Sequence, residues 1–262
     1  GMGDDFRHRM HWEIGSPLLR ARVLLDIEER VQRLGSTLRA CGIVFTDAER
    51  ASGNAAMHAT ARRDEPQEIQ DELIEDIEAL SRRFDEEYAM LRPGQRVIVD
   101  AVLSALEDRR GKCIFIDALA GTGKTFCSNV LLAGVRKEGE IALGMASSGI
   151  AALLLDLGKT FHSRCKAELK PDANQTLKIT AGSPIARLFQ RARVWLWDEG
   201  AMGNKYHLEA LDLTLRDLMK TVDPRLEHEP FGGKIIVIAG DFRQTLPISP
   251  RASRAQIIQL TL

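Results

Sequence analysis

Cysteine is scarce in this 262-residue chain: Cys41, Cys113, Cys127 and Cys165 stand far apart, with none of the short paired spacings that a zinc site or a disulfide framework requires. Free thiols in a reducing compartment are therefore expected. No apolar run approaches the roughly 20 residues that cross a bilayer, and the N-terminus has no secretory apolar region, so no membrane partner is expected and the protein reads as intracellular. Charge of one sign is lacking as well. With 36 Lys and Arg against 37 Asp and Glu, no whole-chain basic field advertises nucleic acid, and any such contact must be local. Internal repeats and low-complexity segments are absent. Gly1 ahead of Met2 reads as the remnant of a cleaved tag. What is present is enough apolar material, 44% of residues, for a substantial core.

Two N-terminal segments carry a helical period, Leu24, Ile27, Val31, Leu34 and Leu38, then Ile69, Leu73, Ile77, Leu80 and Phe84. Between them, residues 46–66 are poor in large apolar side chains and read as a loose linker. Glu68, Asp71, Glu72, Glu75, Asp76 and Glu78 crowd the second helix; a solvated face is the expected reason, an acidic partner surface the alternative. Residues 1–90 are thus expected as a helical segment. From Leu91 onward the spacing predicts helix 94–108, strand 113–117, helix 124–137, strand 140–145, a short helix after Ser147-Ser148-Gly149, a polar stretch, strand 193–197, helix 204–221 and strand 234–239. Such alternation implies an α/β fold over residues 91–262, a parallel sheet flanked by helices with ligands beyond the carboxyl ends of the strands.

The chemistry sits at those ends. Strand 113–117 breaks into Ala118-Leu-Ala-Gly121-Thr122-Gly123-Lys124-Thr125, a loop of small residues opening a helix. Such a loop lets backbone N–H groups converge on a triphosphate at the positive end of the helix, with Lys124 reaching the phosphates and the Thr125 hydroxyl on magnesium. The full pattern has glycine where this chain has Ala118, a departure of one methyl. Val194-Trp-Leu-Trp-Asp198-Glu199 is an apolar strand ending in two acids: Asp198 suits a magnesium ion and Glu199 suits the attacking water. Trp195 and Trp197 are assigned to the core. Strand 234–239 runs into Gly240-Asp241-Phe-Arg243-Gln244. The Gln244 amide donates and accepts at once, so it can bridge a γ-phosphate oxygen and the water. Asp241 and Arg243 either pair to fix the turn or leave Arg243 to DNA or phosphate.

Taken in order, Leu91-Arg-Pro-Gly-Gln95, the 118–125 loop, Ala146-Ser-Ser-Gly-Ile-Ala-Ala152, Thr160-Phe-His-Ser163, Trp197-Asp-Glu199 and Phe231-Gly-Gly-Lys234 through Pro247 resemble the petite-integration-frequency helicases. These are RecD-like superfamily 1B enzymes, and the likeness is greatest to versions carried by Helitron transposons. The resemblance is strong over 91–262 and weaker over 18–90. It implies a RecA-like first motor domain of an ATP-dependent helicase moving 5′ to 3′ on single-stranded DNA, using Mg2+ and acting as a monomer in the nucleus, in DNA repair, recombination and telomere maintenance. By the same resemblance Gln95 reads the adenine, Gly121 to Thr125 hold phosphates and Mg2+, Gln244 senses the γ-phosphate, and Ser147, Ser148, Gly149, Thr160, His162 and Ser163 face DNA. The serines and Thr160 could equally cap helices, and a lone histidine beside Phe161 could simply be packed. A second RecA-like domain supplying arginines to the γ-phosphate is implied and is missing from this chain. A nucleotide- or DNA-binding remnant without turnover and a ring-forming P-loop ATPase of another class are the competing readings.

Overall fold

The computed structural model describes residues 65–73, 76–169 and 171–241, together with Arg243, Ser253, Leu260 and positions scattered between 17 and 49. It divides into compact units 1–70 and 71–262. In the first, positions 17, 20, 21, 23, 24, 27, 28 and 31 are helical, and Arg20 Nε donates to Glu49 Oε1 at 3.0 Å. A single helical turn, Gln67–Gln70, buries Ile69. Most of the 46–66 linker lies outside the described residues.

The second unit is a five-stranded sheet in the order β1-β5-β4-β2-β3, formed by β1 Lys112–Asp117, β2 Ala142–Ala146, β3 Lys159–Thr160, β4 Val194–Asp198 and β5 Ile235–Gly240. Every pairing is parallel. The inner strands explain the topology: every residue of β2, β4 and β5 is buried, as a parallel sheet covered on both faces demands, whereas edge strand β1 is partly exposed. Register levels the carboxyl ends, setting Asp117 beside Gly240 and Ala146 beside both Asp198 and Thr160. One rim of the sheet therefore collects the acidic strand ends.

Helices α1 Ile77–Ala89, α2 Pro93–Glu107, α3 Lys124–Lys137, α4 Gly149–Leu153, α5 Phe161–Cys165, α6 Pro184–Arg191 and α7 Lys205–Met219 cover the sheet. Val130, Leu131 and Val135 of α3 join Phe84, Val99 and Val102 of α1 and α2 in the core with Leu196 and Val237 of the sheet. Both tryptophans of β4 are fully buried, as their assignment to the core requires. All four cysteines are free thiols.

Three expectations change. The period through Ile69 and Phe84 is not one helix, because Asp76 Oδ1 accepts the Ala79 N–H at 2.8 Å and starts α1 afresh. Glu72 does not belong to a solvated acidic face: it is buried and ion-paired to the guanidinium of Arg164, with Lys159 Nζ at 3.6 Å. The polar stretch after α4 holds β3, α5 and α6. The signal for α6 was Ser183 ahead of Pro184, whose hydroxyl accepts the Ala186 N–H at 3.2 Å.

Candidate functional site

The loop between β1 and α3 turns on Gly121 and Gly123, at φ 72° and 83°. Gly123 is the N-cap of α3 in the left-handed region, where a side chain is strained. Ala118 has no positive φ, and its N–H donates to Gly240 O at 3.2 Å, so the alanine that departs from the full pattern needs no glycine. Lys124 Nζ lies across the loop, donating to Ala118 O at 2.6 Å and Leu119 O at 3.0 Å. Thr122 Oγ1 donates to Leu119 O at 2.7 Å. Gln95 reaches the same loop: its Nε2 donates to Thr122 O and Gly123 O at 3.2 and 3.3 Å while its Oε1 accepts the Arg92 N–H.

Facing the loop is the end of β4. Asp198 is 3% exposed; its Oδ2 accepts the Thr125 hydroxyl at 3.3 Å and its Oδ1 the Glu199 N–H at 2.9 Å. Burial raises the Asp198 carboxyl above the ordinary carboxylate value, against the opposing pull of the Glu199 N–H. A desolvated carboxylate beside a threonine hydroxyl is the donor set that a magnesium ion takes from a protein, the rest of its shell being water and phosphate oxygens. The residues present fit that ion. Among the described residues no cluster of three or more His, Cys, Asp and Glu offers another metal site.

Glu199 follows in the left-handed region at φ 53°, an uncommon conformation for a residue with a side chain. Two serines hold it there. Ser147 Oγ accepts from Trp197 Nε1 at 3.0 Å and donates to the Glu199 main-chain oxygen at 2.7 Å, and Ser148 Oγ donates to Glu199 Oε2 at 2.9 Å. The turn also needs Gly200, since a Cβ there would collide with Ile238. Loop, Asp198, Glu199, Ser148 and Asp241 border one cleft of about 580 Å3. Asp241 accepts from the Arg243 N–H at 3.0 Å and its guanidinium at 3.2 Å, the turn-fixing pair. Gln244 lies outside the described residues.

The six residues read as facing DNA are brought to the same rim, and several also close local structure. Ser148 caps α4 by accepting the Ala151 N–H at 3.2 Å, Gly149 opens that helix, and Thr160 caps α5 by accepting the Ser163 N–H at 3.2 Å. A second hollow of about 230 Å3 is bordered by Ser147, His162, Trp197 and His207. His207, which sequence reasoning did not single out, meets His162 edge-on with ring centroids 4.9 Å apart, and its Nε2 hydrogen-bonds Glu168 O at 2.9 Å. Burial pushes both imidazoles below their usual value, so at neutral pH they offer hydrogen bonds and packing rather than cations.

Comparison with known proteins agrees with this geometry. ATP-dependent DNA helicase PIF4 of Trypanosoma brucei brucei is 31% identical over 140 residues, 52% of this chain and 16% of that protein. ATP-dependent DNA helicase PIF1 of Saccharomyces cerevisiae is 31% identical over 149 residues, 55% of this chain and 16% of that protein. The matched stretch thus spans about a sixth of the length of these relatives. In fold, it is similar to the Pif1 helicase from Bacteroides in complex with ADP-AlF3 and ssDNA, with a TM-score of 0.50 and 24% identity over 62% of this chain and 35% of that one. The ADP-AlF4 complex of Bacteroides sp Pif1 aligns with a TM-score of 0.51 at 24% identity, over 64% of this chain and 36% of that one. The family model for PIF1-like helicase matches residues 90–262, and the chain belongs to that family.

Proposed function

We propose that the cleft binds Mg-ATP and that residues 91–262 are the first RecA-like motor domain of a helicase that moves 5′ to 3′ on single-stranded DNA. The observation that carries the reading is the approach of Thr125 Oγ1 to Asp198 Oδ2 at 3.3 Å, because it sets the end of the phosphate loop against a buried acid in one cleft. Bound there, magnesium would neutralise charge on the phosphate oxygens. Loop N–H groups and Lys124 would hold the β and γ phosphates, Gln95 would read the adenine, Glu199 would orient and deprotonate the water, and Gln244 would sense the γ-phosphate. Ser147, Ser148, Gly149, Thr160, His162 and Ser163 would line the DNA track. The likeness in motif order supports the RecD-like, Helitron-type assignment, a nuclear location and a monomer. Stepping along DNA is proposed for the complete protein, with a second RecA-like domain contributing arginines.

The test is titration of a fluorescent ATP analogue with magnesium into the parent and Lys124→Ala proteins. Loss of a charge-assisted contact worth about 1.5–3 kcal/mol should weaken binding about 10- to 100-fold. Equal affinities would remove the loop from phosphate binding.

A further inference from the structure

Ser148 borders the cleft beside Glu199. Its hydroxyl has one proton and two lone pairs. The proton goes to Glu199 Oε2 at 2.9 Å, and one lone pair takes the Ala151 N–H at 3.2 Å. A DNA phosphodiester oxygen is an acceptor only, so Ser148 cannot donate to a phosphate and to Glu199 together. Its neighbour Ser147 has no such freedom. Turning the Ser147 side chain away would leave the part-buried Trp197 N–H without its partner and the Glu199 main-chain oxygen with the Met202 N–H alone. Ser148 can turn its proton while its lone pairs go on capping α4. The two serines therefore have separate roles, Ser147 fixing the backbone of Glu199 and Ser148 holding the carboxylate. α4 is itself tied to the phosphate-loop helix, since Asn129 Nδ2 donates to Leu154 O at 2.9 Å and Asn129 Oδ1 accepts the Asp156 N–H at 3.1 Å.

We propose that Ser148 is a positioning residue that latches the Glu199 carboxylate toward α4 and releases it when a phosphate of single-stranded DNA accepts the hydroxyl's hydrogen bond in its place. This rests on reading the cleft as a site for Mg-ATP and the rim that carries Ser148 as a DNA track, and adds how the two communicate. DNA binding costs the Ser148–Glu199 hydrogen bond, so the two ligands of that hydroxyl are coupled.

A double-mutant cycle on the affinity of a fluorescein-labelled oligo-dT strand, read by anisotropy in low salt, tests it. Glu199→Ala frees the hydroxyl and also removes a negative charge. The same change in a Ser148→Gly background measures the charge effect alone, and glycine keeps α4 adequately capped. The tightening caused by Glu199→Ala should be about fivefold larger in the parent than in Ser148→Gly, the worth of one ordinary hydrogen bond. Ser148→Thr, which keeps the hydroxyl, should restore the parental factor, whereas a purely structural serine would leave the factors alike in all backgrounds. Equal factors overturn the latch and leave the DNA track standing. No oligo-dT binding by any of the four proteins of the cycle overturns both.

Discussion

Buried charge is handled in opposite ways at the β2–β3 edge of the sheet and at the rim formed by the ends of β4 and β5. At the edge, Arg164 pairs with Glu72 and donates to Gly144 O and Leu157 O at 3.2 and 2.7 Å. Arg136 donates to Asp156 O and Ala142 O at 3.0 and 2.8 Å, and burial lowers it only to about 10, leaving it charged at neutral pH. At the rim, Asp198 is equally hidden but has a backbone N–H and a hydroxyl for partners, and among the described residues no salt bridge reaches it. Charge matched within the protein holds elements together. Charge left under-matched beside a cleft favours a cation from outside, and the difference separates a structural cluster from a binding site.

The largest expected effect is at the edge. Arg164→Leu leaves buried Glu72 with only the longer Lys159 contact and should cost up to about 3–5 kcal/mol in urea unfolding, while Arg164→Leu with Glu72→Leu should recover much of it. A double variant as unstable as the single one would mean that the pair is not matched as described.

Lys234 sharpens the contrast, because it is a buried cation whose ammonium donates to a neutral acceptor, Gln190 O at 2.5 Å, at the opposite end of β5 from the cleft. Burial lowers it to about 7 from 10.5. A base with a depressed folded value favours the unfolded state wherever it must be charged, so stability should rise as pH climbs from about 7 toward 10.5, by a few kcal/mol at most. Lys234→Met should flatten that rise in unfolding measured across the same range. An unchanged slope would assign it to other groups.

A smaller effect belongs to Asp198. Its folded value is raised by burial, so its contribution to stability is fully present below the ordinary value of 3.8 and is lost as pH rises through the folded value. Asp198→Asn should therefore melt higher than the parent at pH 7 without nucleotide, with the gap closing toward pH 4. A variant less stable than the parent at pH 7 would place Asp198 with the matched charges.

The 118–125 loop was legible because its backbone conformation demands small residues at fixed places, and Gly121 and Gly123 do adopt the left-handed values that glycine permits. Buried parallel strands were legible as apolar runs, with bounds close to those of β4 and β5. Periodicity carried straight through Asp76, because a period registers apolar spacing and not a cap that restarts the helix. Glu72 read as solvated, since its partner Arg164 lies 92 positions away and only the fold joins them. The bond from Ser148 to Glu199 was hidden for the same reason: it depends on Ala146 pairing with Asp198.

The most direct test of the central claim, that the under-matched rim is a magnesium-nucleotide site, is the melting temperature of the parent protein with ATP in the presence of magnesium or of EDTA. With nucleotide at about 100 times its dissociation constant, about 2.7 kcal/mol of stabilisation is expected in magnesium, with most of it lost in EDTA. The same melting temperature in both would contradict the claim.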